Sequence, residues 1–148
     1  MAVSYQLAQP ADLDRLLLLI QAFCAEDQHP FEAEAVRQAV IDLMAMPHYG
    51  RIWLIEQDNH AIGYAVITLG YSLEYHGVDA FVDEIFVLAS HRGQGIGTQT
   101  FAFLEDECRK LGVKALHLEV MPENARAYAL YRALGYEDLH RIAMNKWL

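Results

Sequence analysis

A chain of 148 residues, 54% hydrophobic and 21% charged, is one domain's worth of sequence (1–148), able to bury a core and too apolar to stay disordered. Its formal net charge of −9 argues against nonspecific binding to nucleic acid or an acidic lipid surface, which need a basic footprint, and favours cationic partners. Apolar stretches break off before membrane-spanning length, and Asp12, Asp14 and Arg15 interrupt the N-terminal run, which does not read as a signal peptide. Cys24 and Cys108 have neither disulfide-framework nor zinc spacing, and no two of the seven histidines are spaced as metal ligands on a helical face. A soluble protein of the reducing cytoplasm, without a metal, is the expectation.

In chain order, residues 3–7 predict a short strand, and Pro10 suits the first turn of a helix whose Leu13, Leu16, Leu17, Ile20 and Phe23 share a face. A second helix over 32–46 repeats the pattern with Val36, Val40, Leu43 and Met44 before Pro47 ends it. Strands over 51–56 and 61–69 flank Gln-Asp-Asn-His, a hairpin signal, and the polar, tyrosine-bearing stretch 70–77 predicts a loop. A strand over 80–88, a helix over 96–111 and a strand over 114–120 form a βαβ unit, whose crossover makes the two strands parallel. A last helix from Asn124 to Leu134 stops at Gly135, and 139–147 predict a final strand. The fold class is therefore α/β (α+β): a mixed, mostly antiparallel sheet flanked by helices, with a central parallel βαβ unit.

Arg92, Gly93, Gln94, Gly95, Ile96, Gly97 and Thr98 lie where a strand gives way to a helix. Unpaired N–H groups and the helix dipole make such a junction an anion site, and glycines let the backbone approach phosphate. A nucleotide P-loop needs a Gly-Lys-Ser/Thr ending, which is absent; a dinucleotide fingerprint needs glycine where Thr98 stands. A glycine-rich helix entry without a ligand is the plainer reading. The remaining pattern, Arg-x-x-Gly-x-Gly on Arg92, Gly95 and Gly97, resembles the pyrophosphate loop of the GNAT N-acetyltransferase superfamily. Asn124, Tyr131 and the Gly135-Tyr136 pair match that family's next landmarks, so the resemblance covers residues 81–136 with specific motifs.

The resemblance implies acetyl-CoA as co-substrate, carried on the backbone of Ile85, Phe86 and Val87 with its pyrophosphate on residues 92–98, and it adds Asn124 and Tyr131 to the coenzyme site. It implies that Tyr131 gives the coenzyme A thiolate its proton. The run Asp83-Glu84-Ile85-Phe86-Val87 resembles the polyamine-type branch, where the position of Asp83 contacts the amine. Glu84 is then the candidate base. Strand side chains alternate, so one of the two acids is expected to face the acceptor. Glu26 and Asp27, near the junction of the first two helices, are candidates to hold a cationic acceptor, a solvated acidic loop being the plainer reading. A primary amine of a small molecule, polyamine-like, is the implied acceptor; a protein or peptide acceptor, or a regulatory module that binds acyl-CoA without transferring it, are the alternatives. A homodimer is motivated by the resemblance alone.

The chemistry sets its own demands. A lysine-like ammonium of pKa ~10.4 is neutral in about one part in two to three thousand at pH 7, a handicap of roughly 4 to 5 kcal/mol that a base offsets. A tyrosine of pKa ~10 protonating a thiolate of pKa ~8.5 works uphill by about 2 kcal/mol. Oxyanion stabilisation is expected from backbone N–H near Phe86 or Val87. A bulky residue at Gly95 is expected to block coenzyme approach while sparing the fold.

Overall fold

The computed structural model describes residues 2–148, which form two compact units, one ending at Leu118 and the other spanning Glu119–Leu148. The first unit is built on five strands, β1 (Ser4–Leu7), β2 (Gly50–Gln57), β3 (His60–Ser72), β4 (Gly77–Val87) and β5 (Ala115–His117), in the sheet order β1-β2-β3-β4-β5. Neighbours are antiparallel except β4 and β5, which are parallel. Helices α1 (Leu13–Glu26), α2 (Ala33–Ala45) and α3 (Ile96–Lys110) complete the unit. The mixed, mostly antiparallel sheet and its one parallel crossover through α3 match the expected class.

Side-chain alternation decides what each face carries. Ile52 and Leu54 of β2, Tyr64 and Val66 of β3 and Phe86 of β4 join Leu16, Leu19, Ile20 and Cys24 of α1 and Val40 of α2 in one buried cluster. The opposite face meets α3: Ile55 and Ile62 pack with Ile96, and Phe103 stacks on Tyr5 at 4.1 Å and meets Trp53 edge-on. The expected face of the first helix is thus the one that is buried, with Leu16 and Leu54 wholly inaccessible. Burying one large aliphatic side chain stabilises by about 1.5–3 kcal/mol, so this two-sided core rather than helix propensity holds the elements together.

The β2–β3 hairpin turns on Asp58 and Asn59, both at positive φ (51° and 63°), with Gln57 opposite His60. That is the backbone twist that two-residue hairpins select, and Asp and Asn tolerate it. The stretch 70–77 departs from the expected loop. Gly70, Tyr71 and Ser72 continue β3 opposite Asp79, Val78 and Gly77, so the chain leaves the sheet only at 73–76. Tyr71 and Gly70 are exposed, so this end of the hairpin lacks the apolar alternation of a covered strand, and its composition reads as a loop.

In the second unit, α4 (Ala125–Ala133) is the helix expected after Asn124. The final strand over 139–147 is not formed: these residues have no regular structure, and Ile142, Met144 and Trp147 are exposed. A stretch left over after the last helix has no pairing partner of its own, and an isolated extended segment is not stable as a strand.

Candidate active site

Strand β4 carries most of the candidate site, and its register is broken where the acids lie. Val66 of β3 stands opposite Glu84 but Ile67 stands opposite Val82, so Asp83 is the extra residue of a bulge. A bulge suspends the strict alternation of side chains and re-aims them. Beyond it, Glu84 shares the α1 face with Phe86, while Asp83 is exposed. The Tyr64 hydroxyl donates to Glu84 Oε1 at 2.5 Å. Burial is the first cause holding the Glu84 carboxyl above its ordinary pKa and Asp83 adds to it; the Tyr64 hydrogen bond and His29 act the other way. A carboxylate kept partly dry and proton-hungry suits general-base work on an ammonium.

Ile85, Phe86 and Val87 line a cleft of about 200 Å³ together with Phe23, Glu26, Asp27 and Arg92. The structure thus brings together in the first unit the strand expected to carry the coenzyme and two of the acids expected near the acceptor. Arg92 is exposed but tied to its own chain. Its Nε donates to the Val87 carbonyl at 2.8 Å, its two terminal nitrogens bind the two Glu26 oxygens at 2.6 Å each, and its guanidinium lies 5.5 Å from the Phe86 ring centroid. The Arg92 hydrogen bond holds the Glu26 carboxyl below its ordinary pKa. Asp27 is bonded to His29 Nδ1 at 2.9 Å, so both acids of this edge have protein partners.

The turn after β4 has the form an anion cradle needs. Gly93 and Gly95 both have φ of +77°, Gly95 caps α3, and no acid stands in the first turn of the helix. A Cβ built on Gly93, Gly95 or Gly97 would meet nothing within 4 Å, so the space in front of this backbone is open. As at any helix start, the N–H groups of Ile96, Gly97 and Thr98 have no intrahelical acceptor. These features fit a pyrophosphate. The expectation for Gly95 carries a cost in stability: at φ +77° any side chain strains the backbone by roughly 1–2 kcal/mol, so a bulky residue there lowers stability as well as blocking approach. Gly97 is the informative position, being helical and open. Gly97→Leu should keep or slightly raise the melting temperature, because glycine costs a helix about 1 kcal/mol. Its side chain should weaken acetyl-CoA binding by on the order of tenfold or more by blocking close approach, as titration calorimetry on the folded variant would read.

In the second unit, the Asn124 side chain accepts from the Ala127 N–H at 3.1 Å and so caps α4. Gly135 (φ +97°) donates to the Arg132 carbonyl, and Tyr136 N–H to the Tyr131 carbonyl at 3.0 Å. This paired arrangement is a Schellman cap, in which the residue after the glycine packs on the last turn of the helix. Here that contact is the Tyr136 ring, edge-on to Tyr131 at 6.3 Å between centroids. The Gly-aromatic pair therefore orients Tyr131, and burial raises the pKa of the Tyr131 phenol.

Sequence reasoning did not single out Tyr64 or His29, and it read Phe23 only as part of a buried helix face. Tyr64 stands in an apolar strand run, and only the sheet register shows that its hydroxyl meets Glu84. Among the described residues no group of three or more His, Cys, Asp or Glu could hold a metal ion, and no helix is long and apolar enough to cross a membrane.

Fold and site define an α/β protein with an open, glycine-rich strand-to-helix turn following a strand that carries a partly dry carboxylate. The chain belongs to the acetyltransferase (GNAT) family, which it matches over residues 16–136. Thialysine N-epsilon-acetyltransferase of Bos taurus is 35% identical over 78 residues, covering 53% of this chain and 45% of that protein. This chain thus spans about half the length of the thialysine acetyltransferases that it matches. Aminoglycoside N(6')-acetyltransferase type 1 of Salmonella typhimurium (strain LT2) is 27% identical over 121 residues, covering 79% of this chain and 77% of that protein. A crystal structure of an integron cassette protein from the mobile metagenome of Cole Harbour Salt Marsh is similar with a TM-score of 0.87 at 33% identity, covering 97% of this chain and 90% of that one.

Proposed function

We propose that the protein is an acetyl-CoA-dependent N-acetyltransferase acting on a primary amine of a small, polyamine-like molecule, and that the chain 1–148 works as one catalytic domain. The observation that carries this reading is the continuity of β4. One strand presents the Asp83-Glu84 bulge, then the cleft-lining Ile85, Phe86 and Val87, then the open glycine turn. The family match runs through both compact units, which supports a single domain. Relatives named for thialysine and for aminoglycosides acetylate cationic small amines by name, and the net charge of −9 suits such acceptors.

In this reading the bound co-substrate supplies the acyl thioester, lying along Ile85, Phe86 and Val87 with its pyrophosphate on the backbone of residues 93–98 and with Asn124 at the coenzyme site. Arg92 has a different part from direct phosphate contact: tied to Glu26 and to the Val87 carbonyl, it pins the turn to the end of β4. Asp83 holds the acceptor ammonium, with Glu26 and Asp27 at the edge of the cleft. Glu84 takes the proton that makes the amine nucleophilic, and Tyr131 protonates the departing thiolate. Backbone N–H near Phe86 or Val87 stabilises the oxyanion. A cytoplasmic location fits the two free, buried cysteines, and a homodimer rests on family likeness.

Acetyl-CoA at a hundred times its Kd should stabilise the folded protein by about 2.7 kcal/mol, which for a chain of this size raises the melting temperature by roughly 5 to 10 °C. NAD and ATP at equal concentration should do much less. A larger shift with either would sink the coenzyme assignment. A panel of diamines, polyamines, aminoglycosides, amino acids and peptides with thiol detection then identifies the acceptor; turnover confined to peptides would overturn the small-molecule reading.

A further inference from the structure

Strand β3 places a wholly buried tyrosine against the candidate base. Tyr64 has 0% of its surface exposed, so it cannot touch a substrate, yet its hydroxyl reaches Glu84 Oε1 at 2.5 Å across the β3–β4 register. Its ring is held by Phe23, edge-on at 6.5 Å, and by Phe86, tilted at 6.1 Å, so the hydroxyl has little freedom to leave. A polar atom buried this deeply costs stability unless bonded, and an aliphatic or phenylalanine side chain would fill the same cluster without that demand.

Building on the reading of Glu84 as base, we propose that Tyr64 is its positioning residue: the buried hydroxyl clamps one carboxylate oxygen, which fixes the direction of the other and keeps the carboxylate ionised when the amine arrives. One oxygen of a carboxylate suffices to accept the hydroxyl proton, leaving the second to take a proton from the ammonium. The phenol can serve only as donor in this pair, since burial first and then the Glu84 charge hold its pKa far above the ordinary value.

The other groups facing Glu84 are few. Cys24 of α1 has a thiol raised first by burial and then by Glu84 and Asp27, so it stays neutral; His29, after α1, favours the ionised carboxylate; Asp83, beside it on β4, disfavours it. The cluster members from α2 and β2, Val40, Ile52 and Leu54, do not titrate. A change confined to the Tyr64 hydroxyl leaves all of these in place, so the comparison isolates the clamp.

The test is carbon-13 NMR titration of the Glu84 carboxyl in wild-type protein and Tyr64→Phe, alongside kcat/KM against pH with acetyl-CoA and 1,4-diaminobutane. Losing a hydrogen bond to the charged form should raise the Glu84 midpoint by about one pH unit or more. The acidic limb of kcat/KM should move up with it, and kcat at the optimum should fall on the order of tenfold as the base loses its alignment, with the KM for acetyl-CoA unchanged. Fluorotyrosine incorporated at position 64 alone, a more acidic donor of nearly the same shape, should move the midpoint down, and it keeps the test open if Tyr64→Phe does not fold. A midpoint that stays within about 0.3 unit in whichever replacement folds would make Tyr64 a packing residue. The companion variant Glu84→Gln separates the two ideas. An acidic limb that persists in it means that Glu84 is not the base, whatever the NMR midpoint does; a limb that vanishes there yet stays put in Tyr64→Phe rejects the clamp alone.

Discussion

Tyr131→Phe is expected to slow the chemical step by roughly a hundredfold to ten-thousandfold, the usual contribution of a positioned acid, equal to about 3 to 5 kcal/mol. The substitution removes a hydroxyl and keeps the ring and the backbone. The bond that closes the last turn of α4 is made by the Tyr131 carbonyl, and the edge-on contact with Tyr136 needs only the ring. Burial keeps the phenol protonated well beyond neutral pH, the form that a proton donor needs. Acetyl-CoA affinity should change little, and the loss should appear in kcat. Single-turnover kinetics are the measurement, because slow product release can hide a slower chemical step. A chemical rate within about threefold of wild type would leave Tyr131 a packing residue and assign the proton to water or to the substrate ammonium.

The second large effect is expected for Glu84→Gln, in two quantities that move in opposite directions. Without a base the chemical step should fall by roughly a hundredfold to ten-thousandfold. Wild-type kcat/KM should rise with pH through a limb lying above the ordinary carboxylate range, because burial raises the pKa of Glu84, and that limb should be missing in the variant. Stability should behave otherwise. The folded protein holds the Glu84 proton more tightly than the unfolded chain does, so this residue makes stability fall as pH rises from the unfolded pKa to the raised folded one. Above that window the ionised carboxylate is a standing cost. A glutamine relieves it and can still accept from Tyr64, so at neutral pH the variant should melt at or above the wild-type temperature. A variant that is both inactive and clearly less stable would mean that Glu84 is a structural residue.

Much of this molecule is legible in one dimension, and the reasons are local. Apolar spacing in α1 and α2 predicted their buried faces because helical period is a property of the segment itself. Gly93 and Gly95 announced a turn because glycine alone adopts their positive φ without strain, and the order strand, turn, helix followed from composition on either side. The parallel pairing of β4 and β5 was implied by the length of the connection between them, since no short link joins parallel strands. The Gly135-Tyr136 pair was visible as a landmark before its work as a helix cap was known.

What the tertiary structure alone decided depends on partners that lie far away along the chain. Alternation along β4 offered only a choice between Asp83 and Glu84; the bulge opposite Val66 and Ile67 breaks that alternation, and a bulge exists only relative to a neighbouring strand. Residues 70–72 and 77–79 became sheet because they pair with each other, whereas 139–147, expected as a strand from their place after the last helix, form none, because pairing makes a strand. Arg92 sits 66 positions from Glu26, and Tyr64 sits 20 from Glu84. No window of sequence joins these pairs. Chemistry-bearing residues could be picked out by type and spacing, but which carboxylate is dry, which is tied to arginine and which is clamped by a buried hydroxyl are facts about packing, set by where water is excluded.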